Sequence, residues 1–474
     1  MIRILGAAVA ALLLTAAPAV AQAPEAPVAA VVRHEAGAWS LDLTFDRDAP
    51  VWVFGDSEVL SDGRGWRVHQ WTVETPGAVL ETVDRRDVLR GGDGGPTPRR
   101  VRLRMQPRFV DLEANYDPVL MFSNGAVAWY SEAFHLFPLA SGDELAGLPR
   151  DLGPLVDAFG PTRTTWSDAA GPVLAQGQRL VDPDSTRIGT YILFGPAEVV
   201  PGETLVTVID PGLPAWISAE LSEYAPRLAG RYAERLGPGG ATTPTVMMSW
   251  SGAEQNGASM AGSVLSNLVV MAFDGKKALE PSAGVRDMAR WFIGHESAHF
   301  WLGQTVRYAT PEDSWITEGG ADLMAIRAMQ SLDPAFDTQA RLQAAVDACV
   351  GFADQPVSTS VDRGEFRAHY ACGAVFALVA EASQKRATGG DWFDFLRPLI
   401  DASRADQVLT RAEWLDRLDA VSGDPSLRAD MEMLLDRGSD DPAGVVARLL
   451  DRAGVADGPR LRGPPPADQP PANG

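Results

Sequence analysis

Along the first third of the chain, apolar residues recur at every second position or in short clusters. "WSLDLTF" (39–45), "APVWVFG" (49–55), "WRVHQWTV" (66–73) and "RRVRLRM" (99–105) set β-branched and aromatic residues apart, with Gly, Asp and Pro between the runs. From Ala38 to about Pro138 this predicts strands. In the last of them Arg100, Arg102 and Arg104 alternate with Val101, Leu103 and Met105, the pattern of a half-solvated strand. "RGGDGGPTP" (90–98) is a loop, and the Gly-, Pro- and Asp-rich residues 139–184 predict no element. Strands resume in "RIGTYILFG" (187–195) and "ETLVTVID" (203–210). The period then changes to helical spacing in "PAWISAELSEYAPRLAGRYAERLG" (214–237), which stops at Gly237. "PTVMMSW" (244–250) and "SVLSNLVVMAF" (263–273) each predict a short buried strand, and from Ala283 to about Val455 the pattern is helical. The order implies a multidomain α+β protein: a β-rich part over 22–184, then a sheet-plus-helix part over 185–455 that ends helical.

The two ends add little to that core. Arg3, the apolar run Ile4–Leu14 and Ala19-Val20-Ala21 have the form of a secretory signal peptide over 1–21. No later run is long enough to span a bilayer, so the expectation is a periplasmic or secreted protein without an integral membrane segment after cleavage. Residues 22–30 are expected to be a flexible leader, and the Pro-rich tail 456–474 to be disordered. A net charge of -21 argues against a nucleic-acid partner. Cys349 and Cys372 are the two cysteines of the chain. In an oxidising compartment they are expected to pair, closing a loop worth about 3 kcal/mol in the chain-entropy account.

Only six histidines occur, and two of them fall in "GHESAHFWLGQ" (294–304). On one helix His295 and His299 lie roughly 40° apart around the axis and one turn along, so both imidazoles reach one metal ion. Glu296 stands beside them without ligating. This is H-E-x-x-H, two zinc ligands and a general base. A catalytic zinc takes three protein ligands and keeps a position open. "PEDSWITEGGADLM" (311–324) offers the third, with Asp313 or Ser314 capping a helix that begins near Trp315 and Glu318 one turn in. Asp322, four residues on, shares that face and is placed to accept a ring N–H from a ligand histidine.

The eighteen residues between His299 and Glu318 complete a pattern that resembles the gluzincin metallopeptidases. "HFWLGQTV" is similar to the H-x-W-x-G-N-x-V of the membrane alanine aminopeptidase (aminopeptidase N) family, with Gln304 in place of Asn, and "WITEGGAD" to its W-x-x-E-G-x-A. The Glu318–Asp322 spacing also resembles the glycyl aminopeptidase family. The resemblance implies a thermolysin-like catalytic domain behind the β-rich one, a single Zn²⁺ held by His295, His299 and Glu318, and a peptide substrate. "HYACGAVFALVAEAS" (369–383) is similar to the family's Y-x-K-G-A stretch, with Cys372 at the lysine position. It implies that Tyr370 stabilises the oxyanion and leaves His369 as a neighbour.

One departure concerns specificity. The family's G-x-M-E-N grips the substrate amine with its glutamate. The matching region, "NGASMAGSVLSN" (256–267), has no carboxylate, and Glu254 is out of register. Gly257, Ala258, Ser259 and Met260 remain as an edge that pairs with a peptide backbone. Two expectations follow: cleavage with little dependence on a free N-terminus, or amine recognition through Glu254. Other readings stay open on the residues alone. The same site could activate water against a non-peptide electrophile, or a non-catalytic scaffold could keep the zinc, although structural zinc normally has four protein ligands.

Overall fold

The computed structural model describes residues 26–455, apart from 61–62, 109, 111, 113–115, 150–151, 187–188, 203–204, 240–243 and 255. The expected signal segment over 1–21 and the tail from residue 456 lie outside the described residues. The stretch 22–30 is not all leader, because a strand begins within it. Val28–Glu35 alternates buried and partly exposed positions. It sits inside a six-stranded sheet, antiparallel to Ala38–Phe45 and parallel to Arg163–Asp168.

Arg100–Met105 lies in the same sheet with its arginines outward and Val101, Leu103 and Met105 inward. Arg102 faces Asp42 and Glu74, each at 3.5 Å, on the solvated side. "WRVHQ" departs from the strand expectation and forms the short helix Trp66–Gln70. A strand would turn one of Trp66 and Arg67 outward, whereas both are fully buried. Arg67 is held inside by Asp87 at 3.2 Å, by the Ala133 carbonyl at 2.6 Å and by the Phe54 and Trp66 ring faces.

A second sheet runs Leu136–Leu139, Val51–Phe54, Arg86–Gly91, Ala78–Val83. A third takes in Gln178–Leu180, Val173–Ala175, Tyr191–Phe194, Val127–Tyr130 and Val119–Met121. The fourth sheet carries the candidate peptide-binding edge. Val206–Ile209, Thr245–Trp250 and Leu268–Asp274 are parallel, and Ser259–Leu265 pairs antiparallel at its edge. "SVLSNLVVMAF" is therefore two strands of a hairpin and not one. Its turn is Ser266-Asn267, with Asn267 in the left-handed region at φ 59° that a tight hairpin turn requires.

The parallel strands are buried on both faces. Val208, Met247, Leu268 and Val270 face the core of the β-rich part, while Val246, Met248, Val269 and Met271 face the helices. Buried Asp210, at the end of the first parallel strand, ties the two parts together. Its carboxylate accepts from the backbone N–H of Ser123, Gly212 and Trp250 at 2.8–3.0 Å. The crossover helix Ala215–Leu236 packs Ile217, Leu221, Ala225, Leu228, Tyr232 and Leu236 inward and ends at Gly237, φ 77°.

The helical part comprises Ala283–Ala298, Trp315–Leu332, Thr338–Phe352 and Arg367–Thr388, then further helices to Ala453. Cys349 and Cys372 join the third and fourth of these as a disulfide. Among the described residues no helix is long and apolar enough to cross a membrane.

Candidate active site

The histidine-bearing helix starts where the Ser282 hydroxyl accepts from Val285 N–H. Its regular part ends at Ala298. His299 is the C-cap, but at φ -66°, ψ -12° it keeps helical geometry, so the four-residue spacing still aligns the two imidazoles. Tyr232 of the crossover helix donates to the Gly294 carbonyl at 3.0 Å, fixing the residue next to His295.

The helix of Glu318 begins at Trp315, and neither Asp313 nor Ser314 caps it with a side chain. The Ser314 hydroxyl instead contacts His369 Nδ1, and His369 Nε2 donates to the Val357 carbonyl at 2.8 Å. His369 is thus a buried clamp between two helices, and burial lowers its pKa below the ordinary histidine value.

Three glycines let these helices approach. A Cβ on Gly294 would stand 3.0 Å from the Ala325 methyl. One on Gly319 would stand 2.0 Å from the Gly373 carbonyl carbon, and one on Gly373 2.3 Å from the Trp315 oxygen. The last two clashes are with backbone, which cannot swing aside. Gly373→Ala is expected to cost at least about 1–3 kcal/mol by overpacking and to pull Tyr370 away from Glu318. Urea unfolding, together with the residual activity of the folded fraction, checks both effects.

His295 Nε2, His299 Nε2 and Glu318 Oε2 converge. The nitrogens are 3.0 Å apart, and the carboxylate oxygen lies 3.4 and 3.3 Å from them. His295 Nδ1 is bound to Asp322 Oδ1 at 2.8 Å, and His299 Nδ1 donates to the Leu302 carbonyl at 2.8 Å. With both Nδ1 atoms so engaged, each Nε2 faces inward, toward the buried Glu318 carboxylate oxygen. Among the described residues these three alone form a cluster with metal-ligand spacing. Two nitrogens and one carboxylate oxygen are the donor set of a catalytic zinc.

The charges depend on one another. Burial opposes protonation of His295, but Asp322 and Glu318 outweigh it and raise the imidazole well above its ordinary value. His299 is raised in the same way, chiefly by Glu318 against burial. Burial also disfavours the charge on Glu318, yet the two imidazoles hold its carboxyl far below the usual range. Glu296 is buried beside them, and burial raises its carboxyl despite the imidazoles.

Tyr370 stacks on His295 with ring centroids 5.4 Å apart. It is open to solvent at 36 %, the exposure of a group at the mouth of a site. Burial of its ring, then Glu318 and Glu296, push the phenol well above its ordinary value.

The edge strand begins at Ser259. Gly257 precedes it and its carbonyl accepts from Lys277 N–H at 2.9 Å, while Ala258 and Met260 pack partly buried on the helical core. Gln304 fastens this strand to the loop after His299. Its Oε1 accepts from Asn267 N–H at 2.8 Å and its Nε2 donates to the Leu265 carbonyl. Glu254 is exposed in the loop ahead of the strand. One residue near the site has no signal in the local sequence. Tyr116, from the β-rich part, donates to the Val264 carbonyl at 3.3 Å across 148 residues of chain.

No family model and no curated protein matches this chain. The fold is similar to that of native yeast LTA4 hydrolase, at 13 % sequence identity over 87 % of this chain and 68 % of the other, with a TM-score of 0.50. An M1 zinc metallopeptidase from Deinococcus radiodurans, solved as a mutant bound to a Tyr-Ser-Ala substrate, covers 87 % of this chain and 93 % of its own at 15 % identity and TM-score 0.48. At these identities the likeness is one of fold.

Proposed function

We propose that this chain is an exported gluzincin-type zinc metallopeptidase, akin to the aminopeptidase N family, that hydrolyses peptide bonds. The observation that carries the reading is the convergence of His295 Nε2, His299 Nε2 and Glu318 Oε2 with Glu296 alongside. The shared fold with LTA4 hydrolase agrees with it. The leader at 1–21 and the Cys349–Cys372 bond support export to an oxidising compartment.

His295, His299 and Glu318 would hold one zinc ion. When bound, zinc acidifies water and polarises a carbonyl. Glu296 takes the proton of the attacking water and delivers it to the leaving amine. Its raised pKa brings a carboxylate closer to the range of an efficient base at neutral pH. Tyr370, kept protonated by its surroundings, donates a hydrogen bond to the developing oxyanion. Asp322 and the Leu302 carbonyl hold the imidazoles in the ligating tautomer. The peptide backbone pairs with the outer side of Ser259–Leu265.

Metal removal tests this reading. A chelator should abolish peptide hydrolysis, and about one equivalent of zinc should restore it. The effect also carries a pH signature. In the metal-stripped protein His295 and His299 have raised pKa values, so their stabilising contribution is present below the ordinary histidine pKa and fades as pH rises through the folded value. Zinc displaces the same protons. The gain in Tm on adding zinc should therefore grow from pH 6 to pH 8, while the metal-stripped protein loses stability over the same range. A zinc gain that shrinks with rising pH would contradict the ligand assignment.

A further inference from the structure

The edge strand meets a barrier at one end. Leu265 and Leu268 flank the two-residue turn and are the hydrogen-bonded pair of the hairpin. The next pair, Val264 and Val269, is then a non-hydrogen-bonded one, so the N–H and carbonyl of Val264 point away from the sheet. Gly262, two residues on, points outward in the same way. These outward groups are what an extended peptide would pair with. The Val264 carbonyl already has a donor, the hydroxyl of Tyr116.

Tyr116 is firmly held. Its ring packs on Tyr130 at 5.0 Å, and Tyr130 packs on Tyr191 at 5.5 Å. The Tyr191 hydroxyl donates to the carbonyl of Asp117 at 2.6 Å, and Tyr130 N–H to that of Pro118 at 3.0 Å. Tyr130 in turn donates to Glu132 at 3.0 Å. The third sheet thus presents this one phenol to the edge of the fourth. Burial, then Glu132 and, more weakly, Glu296, push its phenol up to about 12, so it stays a donor at any working pH.

We propose that Tyr116 ends the peptide-binding groove: it takes the Val264 carbonyl and blocks a bound chain from continuing, so the site acts near a chain end. This rests on the peptidase reading above. It accounts for end selection without the missing glutamate, because length and not charge would be sensed. A peptide paired antiparallel to Ser259–Leu265 has its N-terminal side at Val264, so the number of residues ahead of the cleaved bond should matter and the charge of the free amine should matter little.

The test uses zinc-loaded full chain and quenched peptides that share one cleavable bond. One, two, four or six residues precede that bond, each version with a free and an acetylated N-terminus. In the wild type, kcat/KM should fall by about tenfold or more for the longer leaders, with acetylation changing it by less than about threefold. Tyr116→Ala should flatten the length dependence. Tyr116→Phe, which keeps the ring packed on Tyr130, should relieve part of it. Rates independent of length in the wild type, or a length penalty unchanged in both variants, would overturn the proposal and leave the peptidase reading standing. A dependence on acetylation alone would overturn it in favour of a charge anchor. Cleavage of every peptide that persists in Glu296→Gln would instead remove the peptidase reading itself.

Discussion

Replacing Glu296 with glutamine is expected to lower kcat for peptide hydrolysis by about 10²–10⁴-fold while zinc stays bound. Glutamine keeps the size and hydrogen-bonding reach of the side chain and loses its basicity. Glu296 lies one residue after His295 and makes no contribution to the metal-ligand cluster, so the three ligand atoms should be unmoved. The buried carboxylate is also costly to the fold, since burial raises its pKa. Neutral glutamine should therefore leave stability unchanged or raised at neutral pH. Zinc content by metal analysis, Tm and steady-state kinetics on one peptide separate these effects. Full activity in the variant would remove Glu296 from the chemistry, and loss of zinc would show it to be a ligand.

The second large effect is expected at Tyr370. Tyr370→Phe keeps the ring stacked on His295 and removes only the hydroxyl. If that hydroxyl meets the oxyanion, kcat should fall by about 10²–10³-fold with KM nearly unchanged, since the interaction is made in the transition state. A fall in affinity with kcat retained would make Tyr370 a substrate-binding group instead. Because Tyr370 is partly exposed at the mouth of the site, the substitution should cost little stability.

Parts of this site are legible in sequence for physical reasons. That His295 and His299 face one point follows from helical spacing. That Asp322 reaches His295 follows from its four-residue distance to Glu318 on a helix. What brings the helices together is harder to read. Gly319 and Gly373 make the backbone contact that sets Glu318 beside Tyr370, and glycines inside a helical pattern give no sign of what they will touch. Cys349 and Cys372 are expected to pair from their number and an oxidising compartment, and they do, although nothing in a 23-residue spacing brings them together.

In the sheets, alternation placed the strands around Ala38–Phe45 and Arg100–Met105. It failed at "WRVHQ", where burying both Trp66 and Arg67 requires a helical turn. It also failed at Ser266-Asn267, a turn dipeptide inside an apolar run that conceals a hairpin. The strand at Val28–Glu35 was hidden by the Pro- and Ala-rich context before it. Tyr116 was beyond any local pattern, since its contact with Val264 forms only when two sheets meet.

The most direct test of the central claim is mass-spectrometric digestion of a mixed peptide library, half of it N-terminally acetylated, by zinc-loaded protein and by Glu296→Gln in parallel. New peptide termini are expected with the wild type, clustered near chain ends, and should be absent with Glu296→Gln and after zinc removal. Identical product spectra from both proteins, or no cleavage by either, would contradict it.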